Sequence, residues 1–463
     1  MLLYLRRIKE AISEDIKVQK AETSLEQLKE YDNRIVYSVE KLDEDFGVFS
    51  YSIGKLGLEK REKNLAEIYL FPNADKEWTR EAKKTACKIL LEKVFQELKL
   101  KEVCVFLEQD KTEEREIFSE LGFILDDRDQ NEECYTYQEK QKFFMENRIK
   151  ILVTGVTGKL GYDVIRELAL RRHFVVGCSR ADSCEIECPD TGQIIPYIPL
   201  DITNKENVAE VMEYVKPDAV IHCSAWTAVD DAELEKNKKE VYAINVEGTK
   251  NLAKACKDYN AKLMYITTDY AFDGGGETPW QADCYDFAPL NYYGKTKLQG
   301  EQEITAILKE YFIVRTEWAF GVNGRNFVDV LLETAKKRNQ ITVVDDQIGS
   351  PTFFYDLAKL LADMIVTEKY GYYNAVNSGA YVSRYHYAKE IFRQAAEMGH
   401  QEYSLKNLTV DAVSTAEYSK LGAVRPLNSR LDQSKLMKAG FAPLPDWKDA
   451  LARYLRGKLT CSQ

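Results

Sequence analysis

From about residue 149 onward, short apolar runs alternate with stretches whose apolar residues recur every three or four positions. The runs are "KILVTG", "FVVGCS", "YIPLD", "AVIHCSA", "KLMYITTDYAF" and "FIVRTEWAF", and the amphipathic stretches cover 160–171, 204–215 and 236–259. An apolar run without polar alternation suits a strand buried on both faces, and such strands separated by helical stretches build βαβ units. The pattern predicts an α/β unit of Rossmann type, a parallel sheet with helices on both faces. Past about residue 320 the alternation loosens, as a smaller substrate-binding part would.

The first third is organised differently. "RIVYSVEKLDEDFGVFSYSIGKL" reads as strand, turn and strand, and "LAEIYLFP" as a further strand. A long amphipathic helix follows in "EWTREAKKTACKILLEKVFQEL", then a strand in "EVCVFLEQD" and a helix with a glycine stop in "REIFSELGFI". This is an α+β order. The polar segment "YQEKQKFFMENRIK" reads as a short helix entering a strand and sets the boundary, giving one domain over 1–147 and another over 148–463.

Composition narrows the class. A chain of 463 residues is too long for one ordinary domain, and 45% apolar with 30% charged residues describes a globular protein with sizeable cores. A net charge of −11 argues against nucleic acid or an anionic membrane as the main partner. No run reaches the length of a membrane span, and "MLLYLRRIKE" becomes charged too early for a secretory signal. Ten cysteines are scattered; Cys184 and Cys188 lie among acidic residues, and no second pair completes a zinc pattern. Reduced thiols, a cytoplasmic location and no metal site are the expectation.

The chemistry concentrates at the strand ends. Gly155, Thr157, Gly158, Lys159, Leu160 and Gly161 form a glycine loop between a strand and a helix, where backbone N–H groups favour a pyrophosphate. The spacing is G-x-x-G-x-x-G. Ser179 and Arg180 close the next strand; an acidic residue there would suit NAD, whereas these suit a 2′-phosphate and point to NADPH, although Arg180 also reads as a solvated loop cation. Asp201 and Ile202 follow the third strand, Asp201 either meeting the adenine or capping a helix. Ser224, Ala225 and Thr227 follow the fourth, where small residues admit a flat cofactor. In "APLNYYGKTKLQGE", Asn291 reads as a helix cap, and the i, i+4 relation pairs Tyr293, not Tyr292, with Lys297. Tyr293 can deliver a proton to a developing alkoxide, Lys297 can lower its pKa, and Thr268 can donate to the same oxygen.

These residues resemble the extended short-chain dehydrogenase/reductases, and within them the dTDP-4-dehydrorhamnose reductase family. The resemblance runs over roughly 149–455, through "SAWTAVDDAE", "INVEGTKNLA", "TTDYAFDG", "PLNYYGKTKLQGE", "VRTEWAFG", "DDQIGSPT" and "RPLNSRLD". It implies reduction of the 4-keto group of a dTDP-linked 6-deoxy sugar with NADPH or NADH, and Thr268, Tyr293 and Lys297 as the catalytic trio. It also implies Trp318 and Asn326 at the sugar, with Asp269 on the same rim. Asn245 either supports the site from a neighbouring helix or makes an ordinary helix contact, and Arg425 meets the diphosphate or packs "RPLNSRLD". A nucleotide sugar is the expected partner, and a homodimer is one assembly this leaves open. The family also holds a noncatalytic type, the regulatory β subunit of methionine adenosyltransferase; that role, or reduction or epimerisation of another nucleotide sugar, is the competing reading. Residues 34–137 resemble a GNAT-type acetyltransferase. The place of its pyrophosphate turn reads "ADKEWTREAKK", with Asp75, Glu77 and Glu81 and no glycine, which implies a degenerate domain; Glu67 reads as a base or a strand-edge carboxylate.

Overall fold

The computed structural model describes residues 16–20, 34–42, 50–60, 65–70, 79–96, 102–107, 111–126, 133–138, 149–189, 192, 194–418 and 422–460. The chain divides into two compact units near residue 148.

In the first unit the strands are β1 (Ile16–Lys20), β2 (Arg34–Leu42), β3 (Ser50–Lys60), β4 (Leu65–Leu70), β5 (Glu102–Leu107), β6 (Ile124–Asp126) and β7 (Glu133–Gln138). Helix α1 (Arg80–Gln96) connects β4 to its parallel neighbour β5, and α2 (Thr112–Glu120) precedes β6. The sheet order is β1-β2-β3-β4-β5-β7-β6, antiparallel except at β4–β5. The parallel step needs a crossover and α1 supplies it. After α2 the chain turns at Gly122, whose φ of 96° suits glycine. Asp75, Glu77 and the expected helix before residue 148 lie outside the described residues.

The second unit begins with β8 (Lys150–Thr154), α3 (Lys159–Leu170), β9 (Phe174–Ser179), β10 (Tyr197–Pro199), α4 (Lys205–Val215) and β11 (Ala219–His222). It continues through α5 (Glu235–Tyr242), α6 (Thr249–Asp258), β12 (Lys262–Thr268), α7 (Tyr292–Ile307) and β13 (Tyr311–Thr316). Then come α8 (Phe327–Ala335), β14 (Gln340–Val344), α9 (Phe354–Ile365), β15 (Gly371–Asn374), α10 (Arg384–Glu397), β16 (Thr409–Val413) and α11 (Trp447–Thr460). The parallel sheet has the order β10-β9-β8-β11-β12-β13-β15, so its direction of winding reverses between β8 and β11. Successive side chains feed opposite layers: Ile151 and Val153 enter the core under α3 and α9, while Leu152 enters the one under α4 and α6. That is why β8 reads as an unbroken apolar run. A third core, with Leu331, Ile391, Tyr403 and Leu451, lies in the part after residue 320.

The stretch 236–259 is not one helix. A π turn, Ala243–Gly248, separates α5 from α6. It turns Asn245 inward, where its carbonyl accepts from Trp226 N (2.8 Å) and its amide donates to Thr296 Oγ1 (3.1 Å). π turns of this kind accommodate an extra residue where a side chain must be aimed.

A buried ion pair joins three elements. Arg315 on β13 and Glu301 on α7 are both fully buried, with Nη2–Oε2 at 2.7 Å. Thr267 Oγ1 on β12 donates to Glu301 Oε1 (2.9 Å), Arg315 Nη1 donates to Ala282 O (3.2 Å), and Tyr372 lies 4.6 Å from the guanidinium carbon. Removing one partner strands a buried charge, whereas replacing both by apolar groups is often neutral. Glu301→Ala should lower the unfolding free energy by about 3–5 kcal/mol in urea titration. Glu301→Leu combined with Arg315→Met should lose markedly less.

Candidate active site

The site forms at the carboxyl ends of β8, β11, β12 and β13. Gly155 follows β8 with φ of 72°, and a Cβ there would stand 2.8 Å from Ser224 N, so the loops after β8 and β11 meet backbone to backbone. A Cβ on Gly161 would lie 2.3 Å from Gly155 O. Only glycines allow this cradle at the start of α3, and a cradle at a helix N-terminus fits a dinucleotide pyrophosphate. Thr157 and Gly158 are exposed, and Asn323 Nδ2 donates to their carbonyls at 3.2 and 3.0 Å. Lys159 is half-buried and burial lowers its pKa, with Asp329 opposing.

The other expected cofactor residues fall into two groups. Arg180 is exposed, with one long contact to Glu240 (3.4 Å), and Thr227 is exposed in the loop after β11. Ser179 is buried and bonded to Tyr197 Oη (2.8 Å). Leu160 and Ile202 point into the cores, which leaves only their backbone for a ligand. Asp201 accepts from Thr203 N and Oγ1 at 2.9 and 2.8 Å, holding the turn before α4, while Asn204 caps that helix. Ser224 and Ala225 are half-buried at the end of β11.

Asn291 caps α7 as its position suggested, accepting from Gly294 N at 2.8 Å. Tyr293 is then half-buried in the first turn, its ring edge-on to Tyr270 at 6.0 Å. Burial pushes its phenol up, Asp269 and Tyr270 add to the rise, and a hydrogen bond with Thr268 pulls it back. Lys297 is buried beneath, donating to Ile266 O (2.9 Å) and lying 4.0 Å from the Tyr265 ring centroid. Burial brings it down to about 7, against the pull of Glu301 and Cys223. The expectation that Lys297 lowers the Tyr293 pKa is corrected here. The ammonium turns inward to a strand carbonyl, and burial dominates the phenol. Tyr292 is a packing residue, its N–H donating to Glu233 (2.6 Å) and its ring facing Lys238.

Thr268 Oγ1 donates to Asp269 Oδ1 (3.0 Å), and Ser429 Oγ donates to Asp269 Oδ2 (2.5 Å). Trp318 sits at φ 44° just past β13. Asn326 is corrected from sugar contact to structural cap: its carbonyl accepts from Val328 and Asp329, and its amide donates to Gly321 O and Tyr454 Oη. Arg425 is paired with Asp230 at 2.8 Å. Two residues outside the expected set also face the site. Glu317 is buried, accepts from Ser350 N (2.9 Å) through one oxygen, and leaves the other without a partner; burial raises it well above the ordinary carboxyl range. Arg384 opens α10 over Trp318. A sequence signal existed for Arg384, because a cation in the first turn opposes the helix dipole. Among the described residues, no helix is long and apolar enough to cross a membrane, and no His/Cys/Asp/Glu group could hold a metal.

The sheet order, the glycine cradle and the tyrosine–lysine turn define a Rossmann-type protein of the short-chain dehydrogenase/reductase class. A family model for the RmlD substrate binding domain matches residues 149–459. The chain belongs to the dTDP-4-dehydrorhamnose reductase family. It is 35% identical to the dTDP-4-dehydrorhamnose reductase of Aggregatibacter actinomycetemcomitans over 309 residues, 65% of this chain and 97% of that one. The enzyme of the same name from Escherichia coli K12 is 33% identical over 323 residues, 67% of this chain and 99% of its own length. A crystal structure of dTDP-4-dehydrorhamnose reductase from Bacillus anthracis in complex with NADP is also similar, with a TM-score of 0.57 and 34% identity. That match covers 67% of this chain and 99% of the Bacillus chain.

Burial raises Asp269 from 3.8 to about 6, against hydrogen bonds from Ser429 and Thr268. A raised carboxyl contributes stability that is complete below its unfolded pKa and lost as pH rises through the folded one. The melting temperature of the wild type relative to Asp269→Asn should therefore fall between pH 3.8 and about 6, then level off. A pH-independent difference would show that folding leaves the Asp269 pKa unshifted.

Proposed function

We propose that the second unit, from about residue 148, catalyses the NADPH-dependent reduction of the 4-keto group of a nucleotide-linked 6-deoxy sugar, dTDP-4-dehydrorhamnose foremost. The observation that carries this reading is Tyr293 hydrogen-bonded to Thr268 at the carboxyl ends of the strands that also carry the glycine cradle, with Lys297 one turn further along α7. NADPH is favoured over NADH by the exposed Arg180 after β9 and by the absence of a carboxylate at that strand end.

The cradle at 155–161 would hold the pyrophosphate, with Ser224 and Ala225 beside it. The chemistry a reduced nicotinamide supplies when bound is a hydride for the carbonyl carbon. Tyr293 holds a proton for the carbonyl oxygen, and its raised pKa keeps that proton in place until the oxygen becomes alkoxide-like. Thr268, at the end of β12, would donate to the same oxygen by turning its hydroxyl from Asp269. Lys297, one turn behind Tyr293 and donating to Ile266 O, ties α7 to β12 and so positions the phenol. Asn245 holds the loop at Trp226 against α7 and keeps these parts in register.

The first unit we read as an acetyltransferase-like fold without a working pyrophosphate turn. Its strand order, with β7 inserted between β5 and β6, supports the likeness, and "ADKEWTREAKK" argues against acetyl-CoA binding.

Tyr293→Phe should reduce NADPH oxidation with dTDP-4-dehydrorhamnose by roughly 10²–10⁴-fold while leaving NADPH affinity unchanged. A variant that turns over like the wild type would remove Tyr293 as the proton donor, whereas a wild type that oxidises no NADPH with this substrate would end the reductase reading and favour a silent dinucleotide-binding regulator. Calorimetric titration of the whole chain with acetyl-CoA should give no saturable heat; tight saturable binding would overturn the reading that the pyrophosphate turn of the first unit is dead.

A further inference from the structure

Three arginines lie near Tyr270 or Glu317, and they differ in what they already hold. Arg425 donates to Asp230 (2.8 Å) and Ala423 O (3.1 Å). Arg430 donates to Asn428 Oδ1 (2.9 Å). Arg384 donates no side-chain hydrogen bond to a described residue. Its guanidinium carbon lies 3.8 Å from the Trp318 ring centroid and 5.1 Å from that of Phe327. Asp269, Tyr270 and Glu317 are near enough to act on its charge, and none forms an ion pair with it.

Two features make this placement unfavourable without a further partner. A half-buried guanidinium carries five N–H donors, and aromatic faces satisfy none of them. Arg384 is also the first residue of a 14-residue helix, where the dipole already favours negative charge. The nearby carboxyls do not pair with it: burial holds Glu317 toward its protonated form, and the two oxygens of Asp269 already accept from Thr268 and Ser429. One kind of ligand relieves both penalties: an anion with paired oxygens, to which a guanidinium fork is complementary.

We propose that Arg384, lying on Trp318, grips the diphosphate of the nucleotide-sugar substrate and is the main determinant of its affinity. This rests on the nucleotide-sugar reading above. It assigns the substrate's phosphates to Arg384 in place of Arg425, which Asp230 already engages. The cofactor carries a pyrophosphate of its own, and the glycine cradle provides for that one.

The test is calorimetric titration of the full chain with dTDP and, separately, with NADPH, using wild type, Arg384→Gln and Arg384→Lys. Arg384→Gln should weaken dTDP roughly 30-fold or more. NADPH affinity should be unchanged, which also reports that the variant is folded. Arg384→Lys should recover part of the loss, because it keeps the charge without the fork. In turnover, KM for the sugar nucleotide should rise in Arg384→Gln while kcat stays within a few fold. Equal dTDP affinity in wild type and Arg384→Gln would overturn the proposal and leave the reductase reading standing. Weaker NADPH binding in the variant would overturn it as well, placing Arg384 at the cofactor. A wild-type protein that binds neither dTDP nor UDP would overturn the nucleotide-sugar reading itself, and this proposal with it.

Discussion

Glu301 is the point on which the arrangement of the site depends. It lies two turns along α7 from Tyr293 and one from Lys297, and its two oxygens are shared between Thr267 on β12 and Arg315 on β13. Thr267 is the neighbour of Thr268, and Arg315 stands three residues before Trp318. One carboxylate thus fixes the helix that carries the phenol, the strand that carries the hydroxyl and the strand that carries the indole. Its strength comes from dryness: with both partners fully buried, water does not compete for either charge. Any looseness there would be felt as misalignment at the reacting centre, where small displacements matter.

The same dryness sets the electrostatics of the pocket. Lys297 is brought to about 7, Asp269 is raised to about 6, and His222, bonded to Thr154 and Thr249, is lowered to about 3 and stays neutral. Ionisable groups that titrate far from their usual ranges in one cleft are typical of catalytic surroundings. Each shift has burial as its first cause, so the pocket acts mainly by excluding solvent, and charge–charge contacts adjust the result.

Much of this was legible in the residues. The apolar runs foretold the strands of the parallel sheet because strands buried on both faces leave no polar alternation to mislead the reading. The tyrosine–lysine turn was legible because helix spacing is local and Asn291 marks its start. What escaped depends on contacts between residues far apart in the chain. Asn326 stands in a motif that implies a sugar contact, while Tyr454, 128 positions later, takes up its amide. The inward turn of Lys297 is set by the end of β12. The π turn at 243–248 has no periodic signature, since it is a single extra residue in a helix. Glu317 stood inside a recognised motif, yet nothing local says that one of its oxygens is left without a partner.

Trp318 occupies a left-handed backbone position that side chains larger than glycine rarely adopt. Its indole is nevertheless retained there, with Arg384 close to its face and Tyr387 stacked nearby. Backbone preference and pocket shape pull this residue in opposite directions. For anyone enlarging the cavity to admit bulkier ketones, glycine at 318 would relax the chain as it opens the wall, so the usual stability penalty of hollowing out a pocket would be partly offset at this one position.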